Sequence, residues 1–490
     1  MKHHLIFAVL AAALIASLAP GQWLETTIYL PDSLGGLTHP QCLAYNSTNN
    51  TIYVAGNGGN WVLAVDGTTN QKIARIPIMA RGVAFCYNSQ NNKIYVAGEE
   101  SDSVTVIDGA SNQVITTVVA GEYPAVLCYN PQNNKVYCAN MWSDSVTVID
   151  GASDRVLATV ATGNSPVALC YNQQDNKVYC ANQDNGNVTV IDGTSNQVLA
   201  TVAAGVYPSV LCYNPEDNKV YCASQGNDKV TVIDGATNRI LAFMAGGDDP
   251  CAFCYNSEDS RVYCASYHGD SVIVIDGATN QVLTTVATGD GSRALCYNPE
   301  NNKVYCASSG SDEVIVIDGA SSRVIAVVDA GTYPGALCYN PENNKVYCAN
   351  ASDSVTVIDG ASDWVLRTIG VGEGPTGFCH NPGQNRIYVA NYSGSSISVI
   401  RDSAVGVMEG YPVAKEGWRP PTIVRGVLSL PPSAHPGSPP PLLDICGRKV
   451  LDLLPGPNDV RGLAPGVYFV RGPSAVSGEP SAVRKVVIAQ

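Results

Sequence analysis

Twelve of the seventeen cysteines stand in six pairs ten residues apart: Cys128/Cys138, Cys170/Cys180, Cys212/Cys222, Cys254/Cys264, Cys296/Cys306 and Cys338/Cys348. Thiols paired at a fixed spacing point to a disulfide repeated six times, provided the compartment is oxidising. A hairpin centred on residue 133 would set Cys128 opposite Cys138. A register one residue away would set Cys128 opposite Tyr137 and forbid the bond. The same slots elsewhere hold Ala44 with Val54, Cys86 with Val96 and Cys379 with Val389, the pattern of a small buried apolar residue. In favour of bridging, the second cysteine never occurs without the first. Cys251-Ala-Phe-Cys254 has redox-motif spacing but lies in a strand-forming run without a βαβ context, and Cys42, Cys251 and Cys446 fit no repeated slot.

Other catalytic chemistry is thinly supplied. Beyond the first four residues the histidines are His39, His268, His380 and His435, and no zinc-helix, haem-attachment, nucleophile-elbow or phosphate-loop motif occurs. A lactonase- or lyase-like enzyme would have to bring His268, Glu122, Glu373 and Arg293 together at one channel mouth. The Asp of each Asp-Gly invites comparison with a calcium ligand, yet calcium takes six to eight oxygens and no Asp-x-Asp-x-Asp-Gly loop with a distal Glu is present. Capping of a hairpin turn is the simpler role. No metal and no cofactor are expected. Aromatic and polar loop residues are more plentiful: Trp61, Trp142, Asp144, Asp184, Tyr267, His268 and Tyr392, with Tyr123, Tyr207 and Tyr333 in Gly-x-Tyr-Pro connections. Rings beside carboxylates and amides suit a carbohydrate or protein ligand through stacking and polar contacts. The plainer alternative packs them between neighbouring units.

The elements that must position these residues follow from a repeat. An Asp recurs at Asp66, Asp108, Asp150, Asp192, Asp234, Asp276, Asp318, Asp359 and Asp402, with a period of 42 apart from one step of 41 and a last of 43. A Tyr recurs with it from Tyr53 to Tyr388, again nine times. Within one unit, the β-forming runs 125–130, 135–139, 145–149 and 155–160 alternate with turn residues. Four strands per 42 residues describe a propeller blade, and no window is left for an amphipathic helix. The ninth unit lacks its fourth strand, and residues 23–30 resemble it. Supplying that strand from the N-terminal side would close a nine-bladed ring and bury two sheet edges; eight blades with one unit displaced is the alternative.

Tyr53-Val-Ala-Gly56, Tyr95-Val-Ala-Gly98 and Tyr388-Val-Ala-Asn391, next to Val-Ile-Asp-Gly, resemble the YVTN-type β-propeller repeat over about residues 24–402. The resemblance implies a propeller scaffold of the kind found in periplasmic and surface-layer proteins, and no particular activity. The turns joining strands one to two and three to four barely vary, whereas the two-to-three and blade-to-blade loops vary freely. Hairpin alternation puts the variable loops on one rim, the better place for recognition.

The formal charge of −14 disfavours nucleic acid as a partner. Residues 403–490 hold nine Lys/Arg and six Asp/Glu, a net +3, which leaves −17 on the rest. Residues 1–21 read as a signal peptide, since the apolar run is shorter than the ~20 residues needed to span a membrane, and no later stretch qualifies. Nine of the 29 prolines fall between Pro412 and Pro441, which marks a linker over 403–421. The segment 422–490 carries Asp444-Ile-Cys-Gly-Arg448, Gly466-Val-Tyr-Phe-Val-Arg471 and Arg484-Lys-Val-Val-Ile488. It resembles the C-terminal sorting domain of type IX secretion cargo. That resemblance implies export through the periplasm by secretion machinery and a secreted or cell-surface location. The expected organisation is therefore signal peptide 1–21, propeller 22–402, linker 403–421 and a small β domain 422–490. The expected function is an exported binding or structural scaffold, with a propeller enzyme as the alternative.

Overall fold

The computed structural model describes residues 21–31 and 36–402, and beyond them seven short strands between Ile423 and Ile488. Nine four-stranded antiparallel sheets follow one another along the chain. Their inner strands begin at Thr38, Gly82, Pro124, Pro166, Pro208, Pro250, Ser292, Pro334 and Pro375, and define blades 1 to 9. Each inner strand neighbours the next, and the last lies beside the first, so the ring is closed. Nine blades, rather than eight, are present. The strand Gln22–Tyr29 completes blade 9 by pairing with Ser396–Asp402. Both would otherwise be open edges.

One blade shows why these residues fold this way. In blade 3 the second strand, Lys135–Asn140, is buried throughout because it lies inside the sheet and between two neighbouring blades. Strands buried on both faces read as continuous apolar runs, as Val-Tyr-Cys-Ala does. The outer strand Val156–Ala161 is largely exposed, with only Val160 buried. A bulge between Val148 and Ile149 bends that edge and blunts it against pairing with other chains.

The uniform turns are stitched from blade to blade. Asn130 Nδ2 donates to Asn176 Oδ1 of the next blade (2.7 Å), and the same bond recurs around the ring, with Ser260 standing in once, until Asn381 donates to Asn50 (2.8 Å). Lys135 Nζ reaches the next blade's three-to-four turn, donating to Gly193 O (2.6 Å), Thr194 O (2.9 Å) and Asn196 Oδ1 (2.8 Å). The fully buried Tyr137 hydroxyl donates to Gly193 O as well (3.4 Å). Sequence uniformity on this rim is thus accounted for by inter-blade hydrogen bonds. The Asp of Asp-Gly caps its own turn: Asp150 Oδ1 accepts from Ser153 N and Ser153 Oγ, both at 2.7 Å. Those bonds hold its carboxyl below the ordinary value.

The ten-residue cysteine pairs are not disulfides. In blade 3 the four-residue turn pairs Asn130 with Lys135, which sets Cys128 opposite Tyr137 and Cys138 opposite Leu127. The two thiols therefore lie on opposite faces of the sheet. The same register separates Cys170/Cys180, Cys212/Cys222, Cys254/Cys264, Cys296/Cys306 and Cys338/Cys348. All sixteen cysteines within the described residues are free. They act as small apolar fillers between blades: Cys138 shares a cluster with Cys86 of the preceding blade, and Cys180 with Cys128. Burial pushes the Cys128 thiol up to about 12 and Cys138 further. Iodoacetamide at pH 8 is expected to leave the blade cysteines unlabelled in the native protein and to label them fully in denaturant. Reductant is expected to leave the intact mass unchanged; a loss of labelling sites restored by reductant would contradict this register.

The described strands between Ile423 and Ile488 belong to a unit separate from the propeller. Strands Ile423–Val424, Val483–Ile488, Gly466–Arg471, Pro441–Leu443 and Lys449–Asp452 make one sheet, and Val427–Leu430 pairs with Gly456–Asp459. The linker expected over 403–421 and, except for Gly21, the leader lie outside the described residues, as does Cys446. No helix among the described residues is long and apolar enough to cross a membrane.

Candidate ligand-binding face

The variable rim is built around one unusual backbone position. A residue at the entry of the inner strand has a left-handed backbone in eight blades: His39, the second residue of its strand, and, just before the strand, Tyr123, Ser165, Tyr207, Asp249, Gly291, Tyr333 and Gly374, with φ between 51° and 72°. In six of them its N–H is held by a loop aspartate of the preceding blade. Asp102 accepts from Tyr123 N (3.1 Å), Asp144 from Ser165 N (3.0 Å) and Asp312 from Tyr333 N (2.8 Å); Asp228, Asp270 and Asp353 do the same for Asp249, Gly291 and Gly374. Asp144 is thus tied up in holding a loop. Its signal was present in the sequence as a second Asp six residues before the Asp-Gly, as in Asp102 and Asp108.

The other expected residues separate into groups. Trp142, 65% exposed, stacks on Tyr123 with ring centroids 4.2 Å apart. Tyr207 and Tyr333 are also exposed, although both hold left-handed backbones. Tyr267 reaches across from blade 6 to put its hydroxyl 3.4 Å from that of Tyr333, and its ring meets His268 edge-on at 4.9 Å. That hydrogen bond raises the Tyr333 phenol above its usual value, and the nearby Arg293 charge opposes the shift. Tyr392 instead packs between blades, against His39 (5.0 Å) and under a bond from Asn57 Nδ2 (2.8 Å). Trp61 lies under the Arg75 guanidinium of its own blade, 3.9 Å away. Asp184 is exposed in its loop, with its N–H on Asn164 O. Of the four residues an enzyme would need, His268 and Arg293 share the Tyr267–Tyr333 neighbourhood, while Glu122 precedes blade 3 and Glu373 precedes blade 9. Cys251 sits at an inner-strand bulge, donates to Ser292 O (3.3 Å) and is pushed up to about 11 by burial, which makes it a poor nucleophile.

The family model for YNCE-like beta-propellers matches residues 174–419, about half of the chain. The chain belongs to that family. No curated protein matches it. Among solved structures, this YNCE-like propeller is similar to Sqt1 of Saccharomyces cerevisiae, at 13% identity and a TM-score of 0.54 over 66% of this chain and 95% of that one. It is also similar to the dihydro-heme d1 dehydrogenase NirN in complex with DHE, at 15% identity and a TM-score of 0.52 over 71% and 77%. Hydrazine synthase of Kuenenia stuttgartiensis aligns at 18% identity with a TM-score of 0.44 over 67% and 97%. At such identities the likeness concerns the fold alone.

Proposed function

We propose that this YNCE-like propeller is an exported, non-catalytic scaffold that binds a ligand, a carbohydrate in preference to a protein, on the rim of variable loops. One observation carries the reading. Tyr207 and Tyr333 occupy left-handed positions where blades 7 and 9 use glycine, and they remain 50% and 45% exposed. A left-handed backbone costs a tyrosine about 1–2 kcal/mol, and exposed rings regain little of it by burial. Strain kept without a packing benefit is characteristic of functional surfaces. The Trp142–Tyr123 stack adds a second flat platform on the same rim. Export rests on the leader-like start and the sorting-like segment 422–490.

A glycan array probed with the full chain and with Trp142→Ala and Tyr267→Ala variants tests the reading. Binding that falls tenfold or more in each variant is expected. Binding unaffected by both changes would remove the rim from consideration. The enzyme reading draws on the proximity of Tyr267, His268, Tyr333 and Arg293, and turnover of a bound glycan or lactone, lost in Tyr267→Phe, would establish it instead.

A further inference from the structure

Every inner strand carries a bulge near its entry, which leaves one residue unpaired and re-aims its side chain. In eight blades that residue is uncharged: Gln41, Val83, Ala125, Val167, Ser209, Cys251, Gly335 and Thr376. In blade 7 it is Arg293, whose carbonyl accepts from Cys251 Sγ (3.8 Å) but whose exposed side chain has no hydrogen-bond or ion-pair partner among the described residues. This is unexpected in a chain of formal charge −14, on a rim rich in carboxylates. Three carboxylates of the same loops have other partners: Asp270 holds Gly291 N (3.0 Å), Asp312 holds Tyr333 N, and Asp249 faces His268 Nε2 at 3.8 Å.

The surroundings of Arg293 are also distinctive. The Tyr267 ring comes close to Gly291, two residues before Arg293, where an added Cβ would lie 3.4 Å from Tyr267 Cε2. Gly335, the matching bulge residue of blade 8, carries no side chain, and an added Cβ there would meet only Tyr333 O at 4.0 Å. Arg293 thus stands exposed on the stretch of rim that carries the Tyr267–Tyr333 hydroxyl pair and His268. A fork of parallel N–H donors matches a planar carboxylate, and a phenol ring matches the apolar face of a sugar.

We infer that Arg293, with Tyr267, Tyr333 and His268, forms a subsite for the carboxylate of an acidic sugar, so that the ligand of the variable rim is a uronate-bearing glycan. This rests on the binding function proposed above. The experiment is titration calorimetry of the full chain with hexagalacturonate, with its methyl-esterified counterpart, and with a sulfated galactan hexasaccharide. Wild-type protein is expected to bind hexagalacturonate at least tenfold more tightly than the ester and to lose that preference at 0.5 M NaCl. Arg293→Gln is expected to bind both equally, with an unchanged melting temperature because the side chain is exposed, and Arg293→Lys to recover part of the preference. Equal affinity for acid and ester, or a preference kept by Arg293→Gln, would overturn the carboxylate subsite. A preference for the sulfated chain would do the same. If the ester binds in a Trp142-dependent way while the acid gains nothing, the binding function stands without this subsite. If none of the three binds, both fail.

Discussion

Asp402→Ala is expected to cost about 3–5 kcal/mol of stability, the range for removing one partner of a buried ion pair. In seven other blades, all but blade 1 with its Thr51, the strand-two cation reaches carbonyls of the next blade's three-to-four turn, as Lys135 does at Gly193 and Thr194. Blade 9 has no such turn, because its fourth strand comes from Gln22–Tyr29. Asp402, 2% exposed, takes the turn's place by accepting from Lys345 Nζ (2.7 Å), Asn340 Nδ2 (2.7 Å) and Gln22 Nε2 (3.0 Å). Alanine would leave the Lys345 ammonium, itself buried, without its carboxylate, and would cut one tie to the closing strand. The second tie is Arg386, which forks onto Glu25 at 2.6 and 2.5 Å and donates to Gly67 O and Thr68 O of blade 1 (2.5 and 2.7 Å). Urea unfolding of Asp402→Ala against Asp359→Ala, which removes an ordinary exposed turn cap, separates the two roles. The cap should cost only about 1 kcal/mol. Equal losses would show that the seam is no more sensitive than any other turn.

Changing Tyr207 and Tyr333 together to glycine is expected to move stability and binding in opposite directions. The left-handed backbone at φ 54° and 58° suits glycine. Relief of about 1–2 kcal/mol per site outweighs glycine's additional unfolded-state entropy of about 0.5–1 kcal/mol. The double variant should therefore be about 1 kcal/mol more stable while its glycan affinity falls tenfold or more. Thermal melting and calorimetry on the same preparation read both quantities. A destabilised variant would mean that the rings pack rather than wait for a ligand, and the functional argument from strain would fail with it.

The blades were legible because each strand announces itself locally. Val-Tyr-Cys-Ala and Val-Ile-Asp-Gly recur with one period, and that period gives strand order, the number of units and the face on which loops vary, while eight blades against nine waited for the structure. The closing strand was legible for the same reason, as a fragment matching the piece missing from the ninth unit. The cysteine register was not. Whether Cys128 meets Cys138 or Tyr137 depends on one residue of turn length, and the turn Asn130–Lys135 settles it through bonds from Gln132 N and Asn133 N to Asn130 Oδ1. How the loop residues group was not legible. Of those named from their loops, Trp142 meets Tyr123 and Tyr267 meets His268 and Tyr333, Tyr207 and Asp184 stand exposed, while Trp61 lies under Arg75, Asp144 holds Ser165 N and Tyr392 packs against His39.

By itself, then, the sequence determined a nine-unit all-β repeat and the side on which its loops vary, since hydrophobic period and turn chemistry are local properties read along the chain. Tertiary structure alone decided which loop residues meet. Tyr267 and Tyr333 are 66 positions apart and touch only because the ring carries one loop across the next blade. Arg293 acquires its meaning in the same way, as an unpaired charge at a bulge where the equivalent residue of every other blade is uncharged. Contacts across blades depend on how the sheets are arrayed around the axis, and a 42-residue period, being the same for every blade, carries no record of which exceptions will face one another.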